Sequence, residues 1–335
     1  MRAPIALVAS GSVALLSLLI ALAFGSAPLT LREVLAGLFD ASSGDISNNV
    51  ANIAHDIVWQ LRLPRAFAAF ACGGLLALAG VLLQALLRNA LADSYILGVS
   101  GGASLGALGA ITLGFSAMLV NTAALAGALV AIALVFGFTL RGGAGNGNGV
   151  WDVYQLLLAG VVLSAGFAAL TSLILVIAPG AQVKGMLFWL MGDLSYAESP
   201  YVACVLLVVL TAGALALAAR LDILGLGVAK AQSLGVNVSA LQRMVFFGAA
   251  LATVAAVMLG GAIGFVGLMT PHAVRLAGIT RHHVLLPVSV AAGGAFLVLA
   301  DTCARSVMAP QQLPVGIFTA LIGVPCMLIL LGRRT

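Results

Sequence analysis

What most constrains this chain is where its charges are missing. Residues 3–31 carry no Asp, Glu, Lys or Arg, and neither do 66–87, 94–140, 153–183, 199–219, 244–274, 282–300 or 306–332. A helix that crosses the hydrocarbon core of a bilayer needs about 20 consecutive apolar residues. Each gap can hold one such helix, and 94–140 can hold two with a turn at Gly114 to Ser116. In lipid every backbone polar group must be satisfied internally, which leaves helices or closed barrels. The runs are too long and too unalternating for barrel strands. The chain therefore reads as an all-α integral membrane protein.

Composition excludes the soluble alternative. Only 7% of the 335 residues are charged and 62% are apolar, whereas a soluble domain carries about a quarter charged residues. The expected spans are roughly 5–25, 66–87, 94–113, 117–140, 154–178, 201–219, 243–263, 265–279, 284–304 and 312–332. That is ten transmembrane helices, two of them short, in a single transmembrane domain over 1–335. The small residues within Ala23–Ala27 would suit a signal-peptide cleavage site, but the first apolar run is longer than the core of a signal peptide and follows only Arg2, so the expectation is an uncleaved helix.

Ten spans put both termini on one side, and Arg2, Arg333 and Arg334 assign that side to the cytoplasm. Ten of the 15 Lys and Arg then lie inside, in keeping with the positive-inside rule. Arg32, Arg62, Arg65, Lys184 and Arg305 are the exceptions. Gly98, Gly102 and Gly106 recur at four-residue spacing, as do Gly260 and Gly264; such faces let helices approach closely. The glycine-rich segments near 94–109 and 260–271 fall at comparable places in the two halves. This fits an inverted repeat whose short helices line a central path.

No catalytic or metal-binding group is visible. The net charge of +5 comes without a basic tract, which argues against nucleic acid. Cys72, Cys204, Cys303 and Cys326 stand singly and form no ligand pair. Neither Lys184 nor Lys230 follows a phosphate-binding glycine pattern, and the glycine-rich stretch 142–149 reads as a loop. Gly98-Val99-Ser100-Gly101 matches the motif of intramembrane serine proteases, but a serine nucleophile needs a base within reach. The one histidine near a helix, His272 beside Pro271, falls toward a helix end, and small-residue packing explains the match better. A secondary transporter would keep acids deep in the membrane; here only Asp301 comes near, paired at i,i+4 with Arg305. The path reads as inert, lined by small and apolar residues with occasional Ser164, Thr171 and Ser172. It suits a large solute moved by alternating access, with energy from another subunit. The loop of about 220–243 presents small and apolar residues at helical spacing over Gly227, Ala231, Leu234, Gly235 and Val236, suited to docking in a groove on a partner.

Several motifs, in order along the chain, resemble the permeases of type II ABC importers for iron chelates (siderophores, haem) and cobalamin. They are Leu61-Arg62-Leu63-Pro64-Arg65; Gln84 with Arg88-Asn89-Ala90-Leu91-Ala92-Asp93-Ser94 and Gly98-Val99-Ser100-Gly101-Gly102-Ala103; Gly261 to Leu268 with Pro271-His272 and Arg275; and Asp301 with Arg305, Leu313-Pro314-Val315-Gly316 and Gly323-Val324-Pro325. The chain departs from that pattern at Ala90 and Ser94, where the family commonly has proline, and at Val228, where it often has an acid.

The resemblance implies a ten-helix permease fold that works as a homodimer in the bacterial inner membrane. It implies two cytoplasmic ATPase subunits, which hold the ATP and magnesium, and a periplasmic substrate-binding protein. No cofactor is expected on the chain itself. By the same resemblance Arg62, Arg65 and Arg305 meet acids on the binding protein, and exposed arginines suit carboxylate pairing and steering. The 227–236 segment becomes the ATPase-coupling helix pair, and Asn89, Leu91, Asp152, Val153 and Tyr154 become the cytoplasmic gate. On family frequency the expected solute is a ferric siderophore, with haem and cobalamin behind.

Overall fold

The computed structural model describes residues 3–27, 29–39, 49–143, 150–195, 197 and 200–332. Residues 144–149 of the glycine-rich loop, together with Arg2, Arg333 and Arg334, lie outside the described residues. The described chain is helical throughout its regular structure. Its helices begin with α1 (Ala3–Ala23), α2 (Leu31–Phe39) and α3 (Asn49–Asp56), and α3 runs through a π-turn at Ile57–Arg62 into α4 (Leu63–Leu87). A single 3₁₀ turn at Ser94–Leu97 precedes α5 (Val99–Thr112), followed by α6 (Ala117–Gly143), α7 (Val153–Ile177) and α8 (Gly180–Met191). Then come α9 (Tyr201–Leu224), α10 (Val228–Ser233), α11 (Val238–Gly260), α12 (Val266–Leu276), α13 (His282–Ser306) and α14 (Val315–Gly332).

Among the described residues seven helices are long and apolar enough to cross a membrane: α1, the continuous Ile53–Leu87 helix, α6, α7, α9, α11 and α13. The other expected spans are shorter, at α5, α12 and α14. Helices α2, α3 and α8 were not among the expected elements. The first of these opens on a capping box: Thr30 N–H donates to Glu33 Oε2 at 2.7 Å, and Glu33 N–H donates to Thr30 Oγ1 at 3.3 Å. Those Thr30 donors hold the Glu33 carboxyl below its ordinary range.

The hub is α4, ringed by α9, α11, α12 and α13 and buried along most of its length. Lipid offers no hydrophobic drive for one helix to bury itself against another, so close van der Waals fit must do it. Gly80 of α4 lies directly against the Gly267 carbonyl of α12, leaving no room for a Cβ. The α5–α6 pair uses the same device, with Gly102 against Gly127 and Gly106 against the Ala123 carbonyl. The glycine stripe at 98–106 is thus a packing face. The second stripe is not: α11 ends at Gly260, so Gly264 falls in the break before α12 and meets nothing within 4 Å.

Candidate functional site

Polar side chains gather at the two ends of the bundle. One end joins the finish of α1 and α13 to the starts of α4 and α14. Here Arg62 and Arg305, expected to be exposed, are instead buried, at 3% and 4% exposure. Their burial has a physical cause. Arg62 donates to the carbonyls of Leu22, Ala23 and Ala27 at 2.6, 3.1 and 2.8 Å, and Arg305 donates to the Ala21 carbonyl at 2.6 Å. The last carbonyls of α1 have no partners within the helix, and cations there complement the helix dipole.

Arg65 plays a different part. Its Nε and Nη2 donate to the Asp301 carboxylate at 3.0 and 2.8 Å, and its Nη1 donates to Gln312 Oε1 at 2.7 Å. Asp301 therefore pairs most closely with Arg65, across 236 positions, while its expected i,i+4 partner Arg305 stands 3.6 Å away. Arg62, Arg65 and Arg305 together wall a cavity of about 230 Å³, with Gln60, Gln312, Ser26 and Ser195 also on its lining. Arg65 retains 13% side-chain exposure. Of the three arginines it is the one that solvent or a partner can reach. Lys184, another expected exception to the charge rule, sits on α8 over the Phe188 ring at 6.0 Å.

The opposite end carries the expected gate and coupling residues. Arg88 closes α4 in the left-handed region, at φ 48°, and the chain turns at Asn89, whose Oδ1 accepts from Leu91 N–H at 2.9 Å. Asp152 caps α7 in the same way, accepting from Tyr154 N–H at 2.9 Å. Among the described residues no hydrogen bond joins the 89–91 and 152–154 segments. Asn89, Leu91, Asp152 and Tyr154 are exposed, and Val153 is half-buried. What fixes the second segment is Trp151, whose N–H donates to Gln242 Oε1 at 2.9 Å while its ring packs edge-on against Phe136 and Phe246.

The 227–236 segment forms one short helix, α10, rather than a pair. Gly227 at φ 108° and Gly235 at φ 81° bracket it, in backbone that favours glycine. Ala231, on the inner side of α10, is fully buried and anchors it, whereas Leu234 is 56% exposed and available to a partner. Gly227 faces the Arg88 guanidinium. On α7, Ser164 faces Gly98 at the foot of α5 and Thr171 is buried. Ser172 is exposed and donates to its own Ala168 carbonyl at 2.9 Å.

Charge counting missed the amides and a histidine. Gln84 donates to the carbonyls of Ala92 and Leu268 at 3.4 and 3.3 Å and accepts from Arg275, tying the end of α4 to α12. Asp222, at the end of α9, accepts from both the backbone N–H and the ring Nδ1 of His282, at 3.0 and 2.6 Å. Ser100 is buried and makes no hydrogen bond to a histidine among the described residues. No group of three His, Cys, Asp or Glu among the described residues is placed to hold a metal.

A model of the FecCD transport family matches residues 13–333. The chain belongs to that family. It is 42% identical over 297 residues, 88% of its own length and 78% of the other, to the cobalamin import system permease protein BtuC of Halobacterium salinarum. It is 34% identical over 280 residues to the vitamin B12 import system permease protein BtuC of Yersinia pseudotuberculosis, covering 82% of each chain. A solved structure described as an inward-facing metal-chelate type ABC transporter superposes with a TM-score of 0.84 at 30% identity, over 99% of this chain and 100% of that one. PsaBC of Streptococcus pneumoniae shares the fold alone, with a TM-score of 0.56 at 16% identity. This FecCD member is accordingly a multi-pass permease of the ABC-importer class. The expected preference for a ferric siderophore finds no support over cobalamin among these relatives.

Proposed function

We propose that this chain forms the membrane passage of an importer for a corrinoid of the cobalamin class. The observation that carries this reading is the 42% identity to a permease named for cobalamin import. In this reading the chain crosses the membrane ten times, with α5, α12 and α14 as shortened passes, and both termini are cytoplasmic. It pairs with a second copy of itself. The arginine cavity faces outward and receives acidic residues of a substrate-binding protein, and Arg65 is the first point of contact because it alone keeps exposure. The α10 segment, with Leu234 exposed between Gly227 and Gly235, docks on a cytoplasmic ATPase, and Asn89, Leu91 and residues 152–154 border the inner mouth. Ser164, Thr171 and Ser172 lie on the α7 face beside the path.

The test is uptake of radiolabelled cyanocobalamin into vesicles that hold the chain with its ATPase and binding protein. ATP-dependent uptake, undiminished by excess ferric siderophore or haemin, is expected. Uptake of either iron compound with none of cyanocobalamin would overturn the corrinoid reading, and uptake driven by an ion gradient without ATP would overturn the importer class.

A further inference from the structure

The Arg65 fork is only partly committed. Asp301 takes Nε and Nη2, while Nη1 donates to a neutral amide, Gln312 Oε1, at 2.7 Å and lies 3.4 Å from Ser195 Oγ. Ser195 Oγ also donates to the same Gln312 oxygen, at 3.1 Å. Arg62, Arg65 and Arg305 all line the cavity. Among the described residues the carboxylate that pairs with them is Asp301, on Arg65 at 2.8 Å and 3.6 Å from Arg305 Nε, which makes no hydrogen bond. Among the described residues positive charge is thus in excess, and one arginine donor is matched with an uncharged acceptor. A carboxylate in that place would make a hydrogen bond roughly twice as strong as the neutral one it replaces.

We propose that Gln312 is a placeholder that an incoming carboxylate displaces from Arg65, and that its displacement loosens the start of α14. The proposal rests on the docking reading of the arginine cavity and adds how docking is reported onward. Gln312 stands three residues before Val315, where α14 begins. Two ties hold this start to the 192–195 segment. One is backbone, Val315 N–H donating to the Gly192 carbonyl at 3.0 Å. The other is the Arg65–Gln312–Ser195 triangle. The 192–195 segment is itself fixed to the end of α11, where Asp193 N–H donates to the Gly260 carbonyl at 2.9 Å. Removing the triangle leaves only backbone ties, Val315 N–H to Gly192 and Leu313 N–H to the Ala304 carbonyl at 3.1 Å. Asp301, meanwhile, keeps the guanidinium aimed, because it grips the edge that points away from Gln312. A contact made at the outer cavity is thereby converted into freedom for α14.

The experiment compares Gln312→Ala with Gln312→Glu in the full transporter in nanodiscs. Hydrogen exchange is read at 313–318, and affinity for the transporter's binding protein is measured alongside. Gln312→Ala imitates the displaced state, so exchange at 313–318 should rise about tenfold without binding protein present. Gln312→Glu fills the place with a charge, so exchange should stay at or below wild type and affinity should fall about tenfold. A purely structural glutamine would loosen the segment in both variants, and that result overturns the proposal, as does wild-type behaviour in both. Gln312→Asn, one methylene shorter, provides a second loosening variant should the alanine form fail to fold. Arg65→Ala separates the two layers. Unchanged affinity in that variant removes the docking reading itself, whereas lowered affinity beside inert Gln312 variants removes only the placeholder.

Discussion

Helix α7 and the helix that contains α4 are both apolar enough to cross the membrane, yet they lie in opposite surroundings. Of the most apolar stretch of Ile53–Leu87, 89% of residues are buried, against 17% for Val153–Ile177. Hydropathy is blind to this difference because lipid tails and protein cores are equally apolar. What separates the two helices is the size and spacing of their side chains. The α4 sequence places Gly73, Gly74 and Gly80 where neighbouring helices cross it, so backbones meet. On α7, Gly166 meets nothing within 4 Å, and Leu158, Val161, Val162, Leu173 and Val176 point outward. One helix is built to be surrounded by its own chain. The other turns its apolar surface outward, away from the rest of the described chain.

The comparison breaks hardest at Gly80. A valine there drives a methyl-bearing carbon into the Gly267 carbonyl, a backbone group that cannot rotate away. Overpacking a core costs about 1–3 kcal/mol, and more where nothing yields. Gly80→Val should therefore cost at least about 3 kcal/mol and sharply reduce folded protein, measured as monodisperse yield and thermal unfolding in detergent. Wild-type stability would mean that α4 and α12 do not touch as described. Next in size is Gln84→Leu on the same helix. It keeps the volume but strands the Arg275 guanidinium and two carbonyls. Losing a hydrogen bond to a charged group costs about 2 kcal/mol, so a drop of that order is expected, with Gln84→Glu restoring the Arg275 contact but not the two donated bonds and so recovering only part of it.

These two residues also show how far the sequence could be read. Charge-free runs located the seven long apolar helices because burying a charge in lipid is costly, and that rule acts locally along the chain. The glycine face at 102 and 106 was readable for the same reason, since its spacing lies within one helix. Helix α8 was overlooked because Lys184 interrupts it, although Pro179 before it and Gly192 after it are ordinary helix boundaries. The arginine cavity was unreadable in detail. The burial of Arg62 depends on carbonyls some 40 positions earlier, and the partner of Arg65 lies 236 positions later. Uncharged amides such as Gln84, Gln242 and Gln312 escape any count of charges, yet each ties two segments together.

On the α7 side of the comparison the expected change is in association rather than folding. Gly166→Val adds bulk where the chain leaves open space, so stability should stay within about 0.5 kcal/mol of wild type. If α7 lies against a second copy, the same change should shift the protein toward monomer in sedimentation or light scattering. An unchanged dimer would place the copy-to-copy contact elsewhere and leave α7 to lipid or the path.

The smallest effect sharpens the same point from the polar side. The Ser172 hydroxyl donates back to the Ala168 carbonyl of its own helix at 2.9 Å, an arrangement that satisfies the hydroxyl without tying α7 to anything. Its counterpart on α4, Gln84, spends the same kind of polarity on two other segments. Ser172→Ala should therefore alter stability by no more than a few tenths of a kcal/mol. Its effect, if the residue borders the path, should fall on the transport rate in the reconstituted vesicles and not on the melting temperature. A destabilisation approaching that of Gln84→Leu would show that Ser172 has a partner beyond its own helix, and α7 would then belong with α4 among the helices the chain holds for itself.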